Sequence, residues 1–164
     1  MILYKNNRFH LGGLSFSLPE NVCLIPKETE YANPDGLIYS DCTGKIEVIT
    51  NTVYSELTAA EFLKTDEVIG EATPIGDVTE FEIDGIKAAC LYCESKREEC
   101  FEVAIELPIP GNEERLFTLC ALVKKGDLPI KDAANSPAVT ELLASIKKYP
   151  EWQMDYTKFL FHIT

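Results

Sequence analysis

Several stretches of the chain alternate between apolar and polar side chains, and they are the first elements to emerge. Leu14, Phe16 and Leu18 are separated by Ser15 and Ser17, the period of two that a half-buried strand requires. Pro19-Glu20-Asn21 then turns the chain into the apolar run Val22-Cys23-Leu24-Ile25. Asn33-Pro34-Asp35-Gly36 is a strong turn signal, since proline and glycine impose backbone geometries that regular elements avoid. After it, residues 37–40 and 45–54 flank Asp41-Cys42-Thr43-Gly44 and predict a hairpin closed by a four-residue loop.

The pattern becomes helical at Thr58. Thr58 and Glu61 form a T-x-x-E capping box, in which each side chain satisfies a backbone N–H that the first helical turn leaves free. Leu57 and Phe62 occupy the positions of a hydrophobic staple, and Gly70 and Pro74 end the segment. A second helix has Ser136 as N-cap, Pro137 at its first position, and Val139, Leu142, Leu143 and Ile146 along one face. Lys147 and Lys148 suit the negative end of its dipole, and Pro150 stops it.

Between the helices the strand register can be solved. Asp84-Gly85 is the favoured two-residue hairpin turn, which pairs Ile83 with Ile86 and Phe81 with Ala88. A turn around Lys96-Arg97 pairs Glu94 with Glu99 and Cys93 with Cys100. Both registers together place Phe81, Ile83, Ile86, Ala88, Cys90, Tyr92, Phe101, Val103, Ile105 and Leu107 on one face. Glu80, Glu82, Lys87, Ala89, Leu91, Cys93, Cys100, Glu102, Ala104 and Glu106 fall on the other, with Lys87 between Glu82 and Glu106. Residues 116–123 are apolar at nearly every position and read as a central strand covered on both faces.

Charge narrows the functional classes. The 164 residues carry 15 basic and 27 acidic side chains, a net −12, which repels phosphate backbones and excludes broad nucleic-acid binding. No apolar run approaches the roughly 20 residues of a membrane helix, so no membrane association is expected. The opening residues lack the apolar core of a secretory leader, which makes the cytoplasm the expected compartment. With 46% hydrophobic residues and no linker or repeat, residues 1–164 read as one domain. Asp66, Glu67, Glu71, Asp77, Glu80, Glu82 and Asp84 follow one another without an intervening Lys or Arg. Such a stretch is either a solvated rim or a patch that attracts a basic partner or a cation. As a calcium loop the stretch is a poor fit, because Asp77 to Asp84 misses the D-x-[DN]-x-[DN]-G spacing and its distal Glu.

The six cysteines sit mostly in strand-like apolar runs, where cysteine behaves as a small hydrophobe. Cys90 and Cys93 form a C-x-x-C, but on a strand they point to opposite faces, so neither zinc nor thioredoxin-type chemistry is expected. The thiols are expected to be reduced, with Cys93 and Cys100 close enough to oxidise incidentally. The histidines, His10 and His162, lie near the two ends and belong to no catalytic motif. Gly12-Gly13 lacks the phosphate-loop pattern. No catalytic residue, metal or cofactor is assigned.

After Pro150 the chain carries Trp152, Met154, Tyr156, Phe159, Leu160, Phe161 and Ile163. Residues 150–164 therefore read as a C-terminal apolar extension that folds over its own domain or meets a partner or a second copy. Glu80, Glu82, Asp84, Trp152, Tyr156 and Phe159 are the candidate partner-binding residues.

The order of elements resembles the PsbP-like superfamily. Leu14-Ser15-Phe16-Ser17-Leu18-Pro19, an aromatic strand running into proline, and residues 142–147 near the end carry the resemblance. It implies an α+β fold, an α/β/α sandwich around an antiparallel sheet of about six strands. Members of that superfamily include an extrinsic photosystem II subunit, a Ran-binding nuclear import factor and bacterial lipoproteins. They are binding and accessory modules without a shared catalytic site. The expected function is a small soluble, non-catalytic protein-interaction module with a basic protein partner or a homodimer contact. The competing expectation is a small enzyme or ligand-binding protein with a pocket near the two termini.

Overall fold

The computed structural model describes residues 2–26 and 35–149. Strands β1 (Leu3–Lys5), β2 (Arg8–Leu11), β3 (Leu14–Phe16), β4 (Val22–Leu24), β5 (Leu37–Asp41) and β6 (Ile46–Tyr54) come first. The short helices α1 (Ala59–Phe62) and α2 (Asp66–Ile69) follow, and then the long strands β7 (Ala72–Ile83), β8 (Ile86–Ser95), β9 (Cys100–Ile109) and β10 (Asn112–Lys124). Helices α3 (Ile130–Ala134) and α4 (Pro137–Ser145) and strand β11 (Lys147–Lys148) complete the described chain. The main sheet has seven antiparallel strands in the order β4-β5-β6-β10-β9-β8-β7, and β1-β2-β3-β11 make a separate four-stranded sheet.

The sheet alternates apolar and mixed faces as a period of two requires. Its inner face carries Tyr39, Val48, Val103, Ile105, Leu107, Phe117 and Leu119. Leu14 and Phe16 of the small sheet and Val139 and Leu142 of α4 close over them. The Phe16 and Phe117 rings lie 5.2 Å apart across this contact, and the buried Tyr39 hydroxyl donates to the carbonyl of Ala138 at 2.6 Å. Among the described residues, the outer face is packed at one end, where Ala59 and Leu63 lie on Ala72, Ala89, Leu91 and Cys93.

The α+β architecture and both strand faces are as the sequence predicts, but the register between β8 and β9 is displaced by two residues. Glu94 faces Phe101 and Cys93 faces Glu102, while Cys90 faces Ile105. Ser95 causes this: its hydroxyl accepts from the N–H of Glu98 at 3.1 Å and holds the connection wider than the expected turn. A slip of two preserves every face, so Lys87 still stands opposite Glu82 on the outer side. Glu106, however, lies opposite Ala89, and Cys100 is not opposed to Cys93. Tyr92 accordingly faces Val103 rather than Phe101.

Other boundaries move for local reasons. The Thr58–Glu61 capping box forms with both reciprocal bonds, but the helix it starts ends at Phe62 and resumes as α2. Leu57 stays 42% exposed and so closes little of a staple. Pro74 lies within β7, which begins at Ala72 and absorbs an irregularity between Ile75 and Thr79. Lys147 and Lys148 do not extend α4; Ile146 turns extended, and the pair joins β3 as a strand. On β10, Phe117, Leu119, Ala121 and Val123 are buried, while Thr118, Cys120 and Leu122 on the outer side are only half-buried. That strand is central and fully covered on its inner face, while Leu116 is the buried residue on its outer side between 116 and 122. Two further strands, β1 and β2, are joined through Asn6 and Asn7, both at positive φ (53° and 59°). The C-terminal extension 150–164 lies outside the described residues, as does the Asn33-Pro34 part of the predicted turn.

Gly13, between β2 and β3, lies close against the backbone of Pro110, between β9 and β10. A Cβ there would sit 1.9 Å from the carbonyl oxygen of Pro110, whereas one on Gly44 would meet nothing within 4 Å. Gly44 holds a positive φ of 68°, so alanine there costs only conformational strain. Urea unfolding should show Gly44→Ala losing about 1 kcal/mol and Gly13→Ala losing at least about 2 kcal/mol by forcing backbone apart. Equal losses would mean that the approach is not a fixed contact.

Candidate binding surface

An open sheet ends in two outer strands, and β7 is one of them, paired on one side with β8. Asp84 and Gly85 both adopt positive φ (49° and 76°), the geometry of a two-residue primed turn. In such a hairpin Ile83 and Ile86 exchange both backbone bonds, and bonded and non-bonded pairs alternate from there. Phe81–Ala88 is therefore a bonded pair, while Glu82–Lys87 and Glu80–Ala89 are not. It follows that the N–H and C=O groups of Glu80 and Glu82 point away from β8. Their side chains are exposed on the outer face, and those of Phe81 and Ile83 are half-buried on the inner one.

Beside this strand, on the inner side, runs a groove of about 540 Å³. Phe81, Ile83, Leu143, Ala144 and Ile146 give it apolar walls, with Glu82, Asp84, Thr140 and Lys147 at its rim. Asp84 secures one end, where its Oδ2 accepts from the backbone N–H of Lys148 at 2.8 Å. Of the acidic residues singled out from sequence, Glu80 and Glu82 thus share the exposed outer face of β7. Asp84 sits at the hairpin tip, engaged with β11. Trp152, Tyr156 and Phe159 lie outside the described residues, as does His162.

The described ends of the chain do meet. Lys147 pairs with Ser15, and the buried His10 ring lies 4.7 Å from that of Tyr149 in an edge-on contact. Burial holds the His10 pKa below its ordinary value, so its imidazole is neutral near pH 7. A recess of about 550 Å³ lined by Tyr4, Asn7, Phe9, Ser17, Leu18 and Leu24 lies beside the small sheet, and among the described residues no carboxylate, imidazole or thiol lines it.

Two polar groups lie outside the candidate binding residues named from sequence. Arg115 Nη2 donates to Asp35 Oδ2 at 2.7 Å and to Thr52 Oγ1 at 2.6 Å, with its guanidinium 5.0 Å from the centre of the Tyr54 ring. These contacts tie the start of β5 to β6 and β10. Glu106 is only 5% exposed, and its Oε2 has no hydrogen-bond partner among the described residues. Burial, and after it the charge of Glu67, pushes its carboxyl pKa up to about 9. The thiols are similarly affected: burial raises Cys90 and Cys93 to about 11 and raises Cys120 as well. Among the described residues no three His, Cys, Asp or Glu side chains are grouped to hold a metal ion.

No protein-family model matches the chain, and no curated protein matches it in sequence. Its fold is nevertheless PsbP-like. It is similar to the solution structure of cyanobacterial PsbP from Synechocystis sp. PCC 6803, with a TM-score of 0.53 and 16% identity over 84% of this chain and 87% of that one. It is also similar to a crystal structure of a protein from Bacteroides thetaiotaomicron VPI-5482, with a TM-score of 0.50 and 12% identity. That match covers 91% of this chain and 50% of the other. At these identities the likeness concerns the fold.

The buried Glu106 sets a pH dependence whose sign can be worked out. Its folded pKa of about 9 lies above the ordinary 4.5. Stabilisation from the protonated carboxyl is therefore complete below 4.5 and is lost as pH rises through 9. Thermal unfolding of the wild type should fall between pH 5 and pH 9 more steeply than that of Glu106→Gln, which should melt higher at pH 8. Identical slopes would show that Glu106 ionises freely. For the thiols, maleimide should label the exposed Cys23 and Cys42 rapidly in the native protein, leaving the buried Cys93 and Cys100 unmodified until urea is added. Rapid native labelling of those two would contradict their burial.

Proposed function

We propose that this chain is a non-catalytic interaction or accessory module that binds a basic protein through the acidic outer strand β7. The observation that carries this reading is the placement of Glu80 and Glu82, side by side and exposed on a strand whose other long edge is unpaired among the described residues. The sequence from Asp66 to Asp84 contributes seven carboxylates and no cation. In a chain of net charge −12 the field at this edge favours approach of a positively charged surface. The PsbP-like fold supports the reading by placing the chain among structures built on this sheet and its helix layers.

Charge steering of this kind is screened within a Debye length, roughly 8 Å at physiological ionic strength. Partners captured from the native host on the immobilised full chain should be basic and should elute as salt is raised. The double variant Glu80→Lys/Glu82→Lys should lose at least about tenfold in affinity for such a partner, chiefly in association rate. Capture that is insensitive both to salt and to these reversals would refute the reading.

A further inference from the structure

We infer that β7 takes its partner by strand addition: an extended segment of alternating apolar and Lys/Arg residues pairs with the open edge of β7 and sends its apolar side chains into the β7–α4 groove. The inference rests on the reading of this strand as the partner-binding edge and specifies how that edge is used.

Three independent features converge on it. The outward N–H and C=O groups of Glu80 and Glu82 form a ladder that is unpaired among the described residues, the template on which an added strand builds. The groove lies directly alongside on the inner side, with Phe81 and Ile83 on one wall and Leu143, Ala144 and Ile146 on the other. An added strand alternates its own side chains, so every second residue would enter this apolar trough. The remaining residues would emerge on the outer face beside the Glu80 and Glu82 carboxylates, where Lys or Arg pairs with them. The same alternation therefore dictates both halves of the partner's pattern.

Charge also selects among occupants. Lys147 lies at the rim of the groove, so the basic residues of a partner belong on the outer face and not inside the trough. A second copy offering its own β7 would set Glu80 and Glu82 against another pair of carboxylates, and like charges directly opposed oppose pairing. Charge therefore favours a segment of a different, basic protein over a second copy.

The test uses the full chain and a labelled synthetic peptide alternating Val and Lys. About seven residues suffice at roughly 3.3 Å per residue. Fluorescence anisotropy should show salt-sensitive binding. A peptide of the same composition with its Val and Lys residues in separate blocks should bind at least about tenfold more weakly, as should one N-methylated on alternate edge-facing residues. Ala144→Trp, at an exposed position on the groove wall, should weaken binding similarly while leaving the melting temperature unchanged. Residue-resolved amide exchange supplies the decisive readout: the peptide should slow exchange at Glu80 and Glu82 and leave Thr79 and Phe81, already bonded to β8, little changed.

Salt-sensitive binding that is lost in Glu80→Lys/Glu82→Lys but indifferent to N-methylation, with no alternation in exchange, would overturn strand addition and leave the basic-partner reading standing. Absence of any salt-sensitive binding by any basic peptide or protein would overturn both. A monomer–dimer equilibrium abolished by Ala144→Trp would assign the groove to a second copy and overturn the inference.

Discussion

Burial of one face of the seven-stranded sheet is the constraint on which the rest of this structure depends. The inner side chains of β6, β10 and β9 are almost completely enclosed, with Val48, Val103, Leu107 and Phe117 each at 0% exposure. Enclosing them takes the small sheet and the two C-terminal helices together. That requirement brings β11 back to β3 and places the N-terminal strands beside the end of α4. The Gly13–Pro110 approach and the Tyr39–Ala138 hydrogen bond are its local consequences: a missing side chain lets two backbones meet, and a buried hydroxyl finds its acceptor. The outer face bears no equal demand. Among the described residues its β7–β9 end is the packed one, under Ala59 and Leu63, and polar groups and half-exposed apolar ones coexist along the remainder.

The parts of this design that were legible in the sequence are those decided by neighbours in the chain. Asp84-Gly85 can adopt its turn without tertiary help, so the β7–β8 register follows from two residues. The capping box at Thr58 and Glu61 is equally local. Failures occur where a side chain several residues away chooses between similar alternatives. The β8–β9 connection has no Asn-Gly or Asp-Gly pair, and Ser95 tips it to a wider loop, displacing the register by two. The faces survived because two is the period of the strand. Lys147 and Lys148 fit the end of a helix on local grounds, yet pairing with β3 draws them into a strand.

The binding surface divides along the same line. Its acidity was visible, since seven carboxylates without a cation require no folding to recognise. The groove was not, because it joins Phe81 and Ile83 to Leu143 and Ile146, residues separated by some sixty positions whose proximity only the inner core creates. Leu143 and Ile146 read as core positions of an amphipathic helix; Ile146 is core, whereas Leu143 lies partly at the margin, where the helix overhangs the outer strand. Glu106 illustrates the converse. Alternation assigns it to the outer, polar face, and it does lie there, but its carboxyl is buried. Its burial depends on what packs over β9, which its own sequence neighbourhood does not encode.

An exposed outer strand is a hazard as well as an opportunity, and the chemistry of β7 bears on both. A long unpaired edge invites pairing with any extended chain, and proteins blunt such edges with charge, proline and irregularities. β7 has all three: Pro74 near its start, the register shift between Ile75 and Thr79, and Glu80 and Glu82 beyond it. The first two spoil pairing over the initial half of the strand for every partner alike. The carboxylates act differently, because charge rejects a copy of the same strand while leaving backbone groups free for a strand of opposite sign. The regular, pairable half of β7 is also the half that borders the apolar groove. Protection against self-association and selection of a basic partner can therefore be the work of the same two side chains.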